Sequence, residues 1–268
     1  MHTLHIPLPG GIDLAATFAS GQAFRWHEQA GIYYGVAGGY TAQAQCTQDT
    51  LTLYTDGSEA FWRHYFAADI DYAALRGTFC EDATLASCVR FASGIRVLRQ
   101  PFFETLCTFI ISQNNNIPRI TGIVERLCEA FGTPLASGGY AFPTPEALAN
   151  KTVQDLAPLR AGFRAKYLLD AAQKAADGTI SEAALAHLST QDARAQLCSI
   201  YGVGQKVADC ALLFALGRNE VVPIDVHMRR AMTDLFPSGL PDSALPFAGI
   251  AQQYIFHYTR LCAKATQA

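Results

Sequence analysis

Lys206 stands just after a Gly202-Val203-Gly204 turn, in the first turn of an amphipathic segment, Gln205 to Leu216, that Gly217 closes. The positive end of a helix dipole disfavours an ammonium and favours the neutral amine, which is a nucleophile. A lysine set against local preference invites a chemical role, although a solvated surface lysine is the plainer reading of the position alone. Further on, in VVPIDVHMRR, Asp225 is placed to cap a helix opening at Val226, after a proline that restricts the preceding chain. Capping alone would explain it. A carboxylate held that rigidly could also stabilise a cationic sugar in a transition state.

The stretch LCSIYGVGQKVADC reads as a helix-hairpin-helix, in which one helix ends near Ile200 and the next opens directly after Gly204. Two glycines permit a tight turn and bring helix N-terminal N–H groups against a phosphate, a contact blind to base sequence. The same pattern also serves as an ordinary connection between helices. Cys210 shares a helix face with Lys206 at i, i+4, which suits either a neighbour of the nucleophile or a packed cysteine.

In the last helical segment, Phe247 to Ala263, an apolar stripe runs through Phe247, Ile250, Ala251, Tyr254, Ile255, Tyr258, Leu261 and Cys262. Gln252 and Phe256 fall nearly opposite it. Such an i, i+4 pair would suit a base pocket, the ring stacking on an extruded base and the amide reading its Watson–Crick edge. The alternative is a second packing contact beside a solvated amide.

These residues need a scaffold, and the chain supplies two kinds. From Gln22 to Asp56 short strands alternate around Tyr33 and Tyr34, then Tyr40, Ala42, Ala44 and Cys46, then Leu51 and Leu53, with Gly38-Gly39 as a hairpin turn. Helical candidates follow over residues 59–67 and 82–92, and beyond Leu98 the helical period dominates. A helix from Pro101 to about Gln113 is apolar almost all round and should be central. Another opens at Pro118, carries Ile120, Ile123, Val124, Leu127, Cys128 and Phe131 on one face, and ends at Gly132. Further helices fit residues 144–150, 165–176, 181–188, 192–200 and 226–235. The expectation is an α+β protein: an antiparallel β lobe with short helices over residues 1–95, then a helical body with the helix-hairpin-helix over residues 96–268.

Composition narrows the classes. Half of the 268 residues are apolar and only 16% are charged, which excludes a disordered chain. A chain of this length can bury a core without disulfide or metal staples. Its longest unbroken apolar run, Ala211 to Leu216, is far below the roughly 18–20 residues of a membrane span. The N-terminus lacks the parts of a secretory signal, so the expected setting is the cytoplasm or nucleoid. Eight cysteines show no C-x-x-C pair and no zinc or iron–sulfur spacing, and most should be reduced, buried small hydrophobes. At a net charge of −3 any phosphate footprint must be local. Arg90, Arg96, Arg99, Arg119, Arg160, Arg164, Lys166, Arg229 and Arg230 gather around the motifs and are candidates for it.

GVGQKVADC followed by VVPIDVHM resembles the Lys and Asp of the helix-hairpin-helix (HhH-GPD) DNA glycosylase superfamily and, more narrowly, the 8-oxoguanine DNA glycosylase family. The resemblance extends in order through GQAFRW (Gly21–Trp26), SQNNNIPRITGIVERLCEAFG (Ser112–Gly132), AGFRAKY (Ala161–Tyr167) and FAGIAQQYIF (Phe247–Phe256). It implies that Lys206 attacks sugar C1′ to form a Schiff base and that Asp225 stabilises the developing oxocarbenium charge. The Gly21 carbonyl would accept the N7–H that 8-oxoguanine has and guanine lacks, with a repelled N7 lone pair rejecting guanine. Cys210, Gln252 and Phe256 would complete the base pocket. Asn114, Arg119 and Arg164 would contact the orphaned cytosine, with Phe163 as the wedge where a Tyr is more usual. Gly202, Gly204 and His227 would meet DNA phosphates. Tyr201, Gln113 and Pro118 depart from the family's usual Pro, Ser and Ala, which touches hairpin rigidity and opposite-base fit.

The implied activity is excision of 8-oxoguanine opposite cytosine from duplex DNA by a monomer, with a lysine-based lyase step and no required cofactor. Superfamily members often hold a cation on hairpin carbonyls beside a phosphate, which leaves a structural cation near Val203 open. Two rivals remain at this point. Glycosylases for adenine mispairs or alkylated bases share the Asp, usually lack the Lys, and in part carry an iron–sulfur cluster. A non-catalytic helix-hairpin-helix module would need neither Lys206 nor the Gln252 and Phe256 pocket.

Overall fold

The computed structural model describes residues 1–265, with side chains described through Arg260. The strands and helices run β1 (His2–Pro7), α1 (Leu14–Ala19), β2 (Trp26–Gln29), β3 (Ile32–Ala37), β4 (Tyr40–Thr47) and β5 (Thr50–Thr55). Then follow α2 (Glu59–Tyr65), α3 (Tyr72–Phe79), α4 (Ala83–Phe91), α5 (Phe102–Ser112), α6 (Ile117–Phe131) and α7 (Pro145–Ala149). The chain closes through α8 (Arg164–Ala176), α9 (Glu182–Ala186), α10 (Thr190–Cys198), α11 (Gln205–Phe214), α12 (Val226–Leu235) and α13 (Ala248–Ala265).

The expected β lobe is an antiparallel five-stranded sheet of order β1-β5-β4-β3-β2. Its register sets Ala44 opposite Leu53 and Ala42 opposite Thr55, so alternate residues of β4 and β5 bury one face against α2. Gly38 and Gly39, at φ +57° and +80°, make the β3–β4 turn. The sequence pattern does not announce β1, α1 or α3. α1 and α3 are short and their start signals are single aspartates: Asp13 caps α1 and Asp71 caps α3.

The helical body centres on α5, which is buried on nearly every side as its composition predicts. α6 presents Ile120, Ile123, Val124, Leu127 and Cys128 inward and ends at Gly132. α3 and α4, although they precede residue 96, share this core with α13, Phe79 meeting Tyr254 at 6.1 Å between ring centroids. Cys107, Cys128 and Cys210 are buried free thiols and Cys88 is buried too, whereas Cys80 and Cys198 are exposed. The side chains of Leu261 and Cys262, which the sequence places on the α13 stripe, lie outside the described residues.

Two residues of the anticipated DNA footprint are engaged within the protein instead. Arg96 is fully buried and donates to the carbonyls of Pro9, Gly11, Phe66, Ala67 and Ile70, with its guanidinium 4.1 Å from the Tyr72 ring centroid. Arg99 is likewise committed, to Asp69. The planar fork of Arg96 satisfies several chain segments at once, where a lysine could not. Arg96→Met should therefore destabilise the protein by about 3 kcal/mol or more in urea unfolding, because it strands buried carbonyls. Arg96→Lys should recover less than half of that loss.

Candidate active site

The hairpin of residues 199–204 joins α10 to α11. Gly202 is at φ +78°, and a Cβ built there would lie 2.4 Å from the Tyr167 ring, so glycine is required both by conformation and by space. Gly204 caps α11 with extended backbone, and a Cβ built there meets nothing within 4 Å. Lys206 follows in the first turn of α11, half-buried. Its Nζ is 5.1 Å from the centroid of the Phe109 ring on α5, and it hydrogen-bonds the Cys210 thiol one turn later. Burial pushes the Cys210 thiol up to about 11, against the pull of the Lys206 cation and hydrogen bond, so Cys210 is a neutral thiol at neutral pH. Beside it, buried Asp209 pairs with Arg194 on α10 at 2.5 Å, fastening the two helices of the motif.

Asp225 is the N-cap of α12, its Oδ1 accepting from Met228 N at 2.7 Å. Its charge and that of Lys206 both act on Cys210, which puts the carboxylate and the amine in one electrostatic neighbourhood. Val226 and His227 then open α12 at the surface, Val226 being 79% exposed. The His227 ring meets Phe256 of α13 edge-on at 5.7 Å.

Gln252, one turn before Phe256, is buried although the helical period sets it opposite the apolar stripe. Its Oε1 accepts from Gln253 Nε2 at 2.7 Å, and Gln253 Oε1 has no partner in the structure. Gly21, at φ +82°, lies where an added Cβ would come no nearer than 4.0 Å to Arg260, one turn beyond Phe256. The glycine is thus demanded by its backbone conformation rather than by lack of room. Gln253 and Arg260 are neighbours that the sequence does not single out, since nothing in α13's periodicity distinguishes them.

A second cluster joins the α5–α6 connection to the start of α8. Asn114 sits at φ +46° and is exposed, as is Arg119. Phe163, at the head of α8, is 51% exposed. Arg164, by contrast, is 2% exposed: it donates to the carbonyls of Gln113, Asn114 and Ala161 and stacks 4.4 Å from the Phe163 ring centroid. Burial, then the nearby Arg119 cation, lower its proton affinity from the ordinary arginine value. The four predicted residues come together, with the Arg164 fork committed to holding the loop.

Comparison with known proteins bears on the fold and the family. The family model described as 8-oxoguanine DNA glycosylase, N-terminal domain, matches residues 6–106, and that of the HhH-GPD superfamily base excision DNA repair protein matches residues 107–243. The structure of MBOgg1 in complex with a low-affinity DNA ligand is similar at a TM-score of 0.90 and 36% identity, covering 97% of this chain and 96% of that one. The Clostridium acetobutylicum 8-oxoguanine glycosylase/lyase, in complex with double-stranded DNA containing cytosine opposite 8-oxoguanine, is similar at 0.86 and 34%, covering 94% and 93%. The Arabidopsis thaliana N-glycosylase/DNA lyase OGG1 is 32% identical over 253 residues, 87% of this chain and 68% of its own length. The Saccharomyces cerevisiae N-glycosylase/DNA lyase is 35% identical over 181 residues, and the match spans about half of its length, 48%. Fold and hairpin define the class, that of HhH-GPD base-excision repair proteins. Within it, the chain belongs to the 8-oxoguanine DNA glycosylase family.

Proposed function

We propose that this protein excises 8-oxoguanine opposite cytosine from duplex DNA and then cleaves the strand through a Schiff base on Lys206. The observation that carries the reading is Lys206 itself, held between the Phe109 ring and the Cys210 thiol at the head of α11, with capped Asp225 acting on the same thiol. Hairpin N–H groups around Gly202 and Gly204, with His227, hold phosphates. The extruded base stacks on Phe256, Gln252 reads its edge, and the Gly21 carbonyl accepts N7–H. Phe163 fills the vacated stack, and Asn114, Arg119 and Arg164 meet the cytosine once Arg164 exchanges its carbonyl partners for it.

As the C1′–N9 bond breaks, its electron pair leaves with the base and positive charge grows on the sugar, where the Asp225 carboxylate stabilises it. Lys206, having lost a proton, donates its lone pair to C1′. Opening of the sugar ring yields the protonated imine, O4′ taking up a proton. Loss of a C2′ proton then expels the 3′ phosphate with the C3′–O electron pair.

No step of this reaction passes through a metal or an organic cofactor. A cation, where one binds, would take hairpin carbonyls around Val203; that of Ile200 accepts Val203 N and keeps a second lone pair, whereas that of Gly204 already accepts both Val207 N and Ala208 N. Among the described residues no cluster of three or more His, Cys, Asp or Glu could hold a metal, and no helix is long and apolar enough to cross a membrane. We take the active form to be a monomer on DNA, within the cell.

Borohydride trapping tests the reading, using duplexes with one 8-oxoguanine opposite each of the four bases and an undamaged control. The expected result is a lesion-dependent covalent product, at least about tenfold stronger opposite cytosine than opposite adenine, the order of one good bidentate base contact. Retained DNA binding with no covalent product on any lesion duplex would overturn it.

A further inference from the structure

Four residues on one stripe of α8, at i, i+4, i+7 and i+11, tie the wedge to the hairpin. Phe163 heads the helix, and its ring meets Tyr167 at 5.7 Å and 66°. Tyr167 in turn meets exposed Tyr201 of the hairpin at 5.1 Å and 84°, and its ring lies over Gly202 so closely that no side chain fits between. Asp170 accepts from Tyr201 N at 2.7 Å, while Lys174 pairs with Asp170 at 2.8 Å and donates to Ser199 O at 2.6 Å. The hairpin therefore rests along α8 through a ring, a carboxylate and an ammonium in succession. Its far end opens α11 at Gln205, next to Lys206.

From this geometry we infer that Tyr167 is a positioning residue that couples insertion of Phe163 to the placement of Lys206. Packed rings have little slack, so a displacement of Phe163 reaches the Gly202 backbone through the Tyr167 ring instead of being absorbed. An undamaged duplex that fails to seat the wedge then leaves the hairpin, and with it the amine, out of register. The inference rests on the proposed roles of Phe163 and Lys206, and it adds the link between them.

A double-mutant cycle tests the link. Phe163→Ala and Tyr167→Leu should each lower kcat on 8-oxoguanine opposite cytosine about tenfold with KM changed less than about threefold, and the double variant should also lose about tenfold. Tyr167→Phe, which keeps the ring, should stay within about twofold of wild type. A double loss near a hundredfold, or a Tyr167→Phe loss as large as that of Tyr167→Leu, overturns the coupling. If melting shows Tyr167→Leu to be unfolded, Tyr201→Ala takes its place in the cycle, removing the same ring contact from the exposed side. The cycle is also read without chemistry, as Kd for a duplex holding a tetrahydrofuran abasic-site analogue opposite cytosine. Non-additive binding losses from an enzyme that excises nothing would sink the 8-oxoguanine reading and keep the coupling. Excision with additive losses would do the reverse.

Discussion

Lys206→Gln should abolish borohydride trapping and lower strand cleavage at 8-oxoguanine opposite cytosine by about a thousandfold or more, with duplex affinity changed less than about threefold. The substitution keeps a polar side chain of similar reach and removes only the amine that can join C1′. Its structural cost is small, because two effects oppose each other. The cation–π contact with Phe109 contributes about 0.5–2 kcal/mol and is lost. Removing a cation from the positive end of α11 returns about 0.3–1 kcal/mol. The melting temperature should therefore move little, and the loss of activity cannot be assigned to unfolding. The Cys210 thiol, deprived of its cation and hydrogen bond, should titrate higher than about 11, so thiol reactivity should fall in the variant rather than rise. Gel assays on labelled duplexes and fluorescence anisotropy check the three outcomes together. Cleavage within tenfold of wild type would mean that another group attacks the sugar.

Local chemistry makes the motif legible in the sequence. The Gly202 turn, the Asp225 cap and the limits of α12 follow from residues adjacent along the chain, and so do the Gly38-Gly39 turn and the end of α6 at Gly132. What the sequence hides is long-range. Phe109, which lies beside the Lys206 ammonium, belongs to a helix nearly a hundred residues earlier, and its apolar type announces only a core position. Arg96 reads as a surface cation because charge is normally solvated. Only the convergence of Pro9, Gly11 and the segment 66–70 makes a carbonyl cage that can bury it. Helical periodicity sets Gln252 apart from the core stripe of α13. It does not say that Gln252 is nonetheless enclosed, with Gln253 on its amide. The same limit hides Tyr167, whose meaning depends on a glycine in another element.

Asp225 has two duties that one substitution separates from another. Asn is as good an N-cap as Asp, so Asp225→Asn should keep the hydrogen bond to Met228 N and leave urea-unfolding stability within about 0.5 kcal/mol. The charge that would oppose the oxocarbenium ion is gone, and single-turnover excision should fall by about a hundredfold to a thousandfold, as when another preorganised electrostatic partner is removed. Asp225→Ala removes cap and charge together, and should add about 1 kcal/mol of destabilisation to a similar catalytic loss. The lyase half of the reaction offers an internal control. On a duplex that already carries an abasic site no glycosidic bond remains to be broken, and Lys206 is intact. Trapping of Asp225→Asn on that duplex should therefore decline by less than about tenfold while excision collapses. Equal losses on the two substrates would show that Asp225 serves the amine or the hairpin rather than the sugar cation. Normal excision by Asp225→Asn would reduce it to a helix cap.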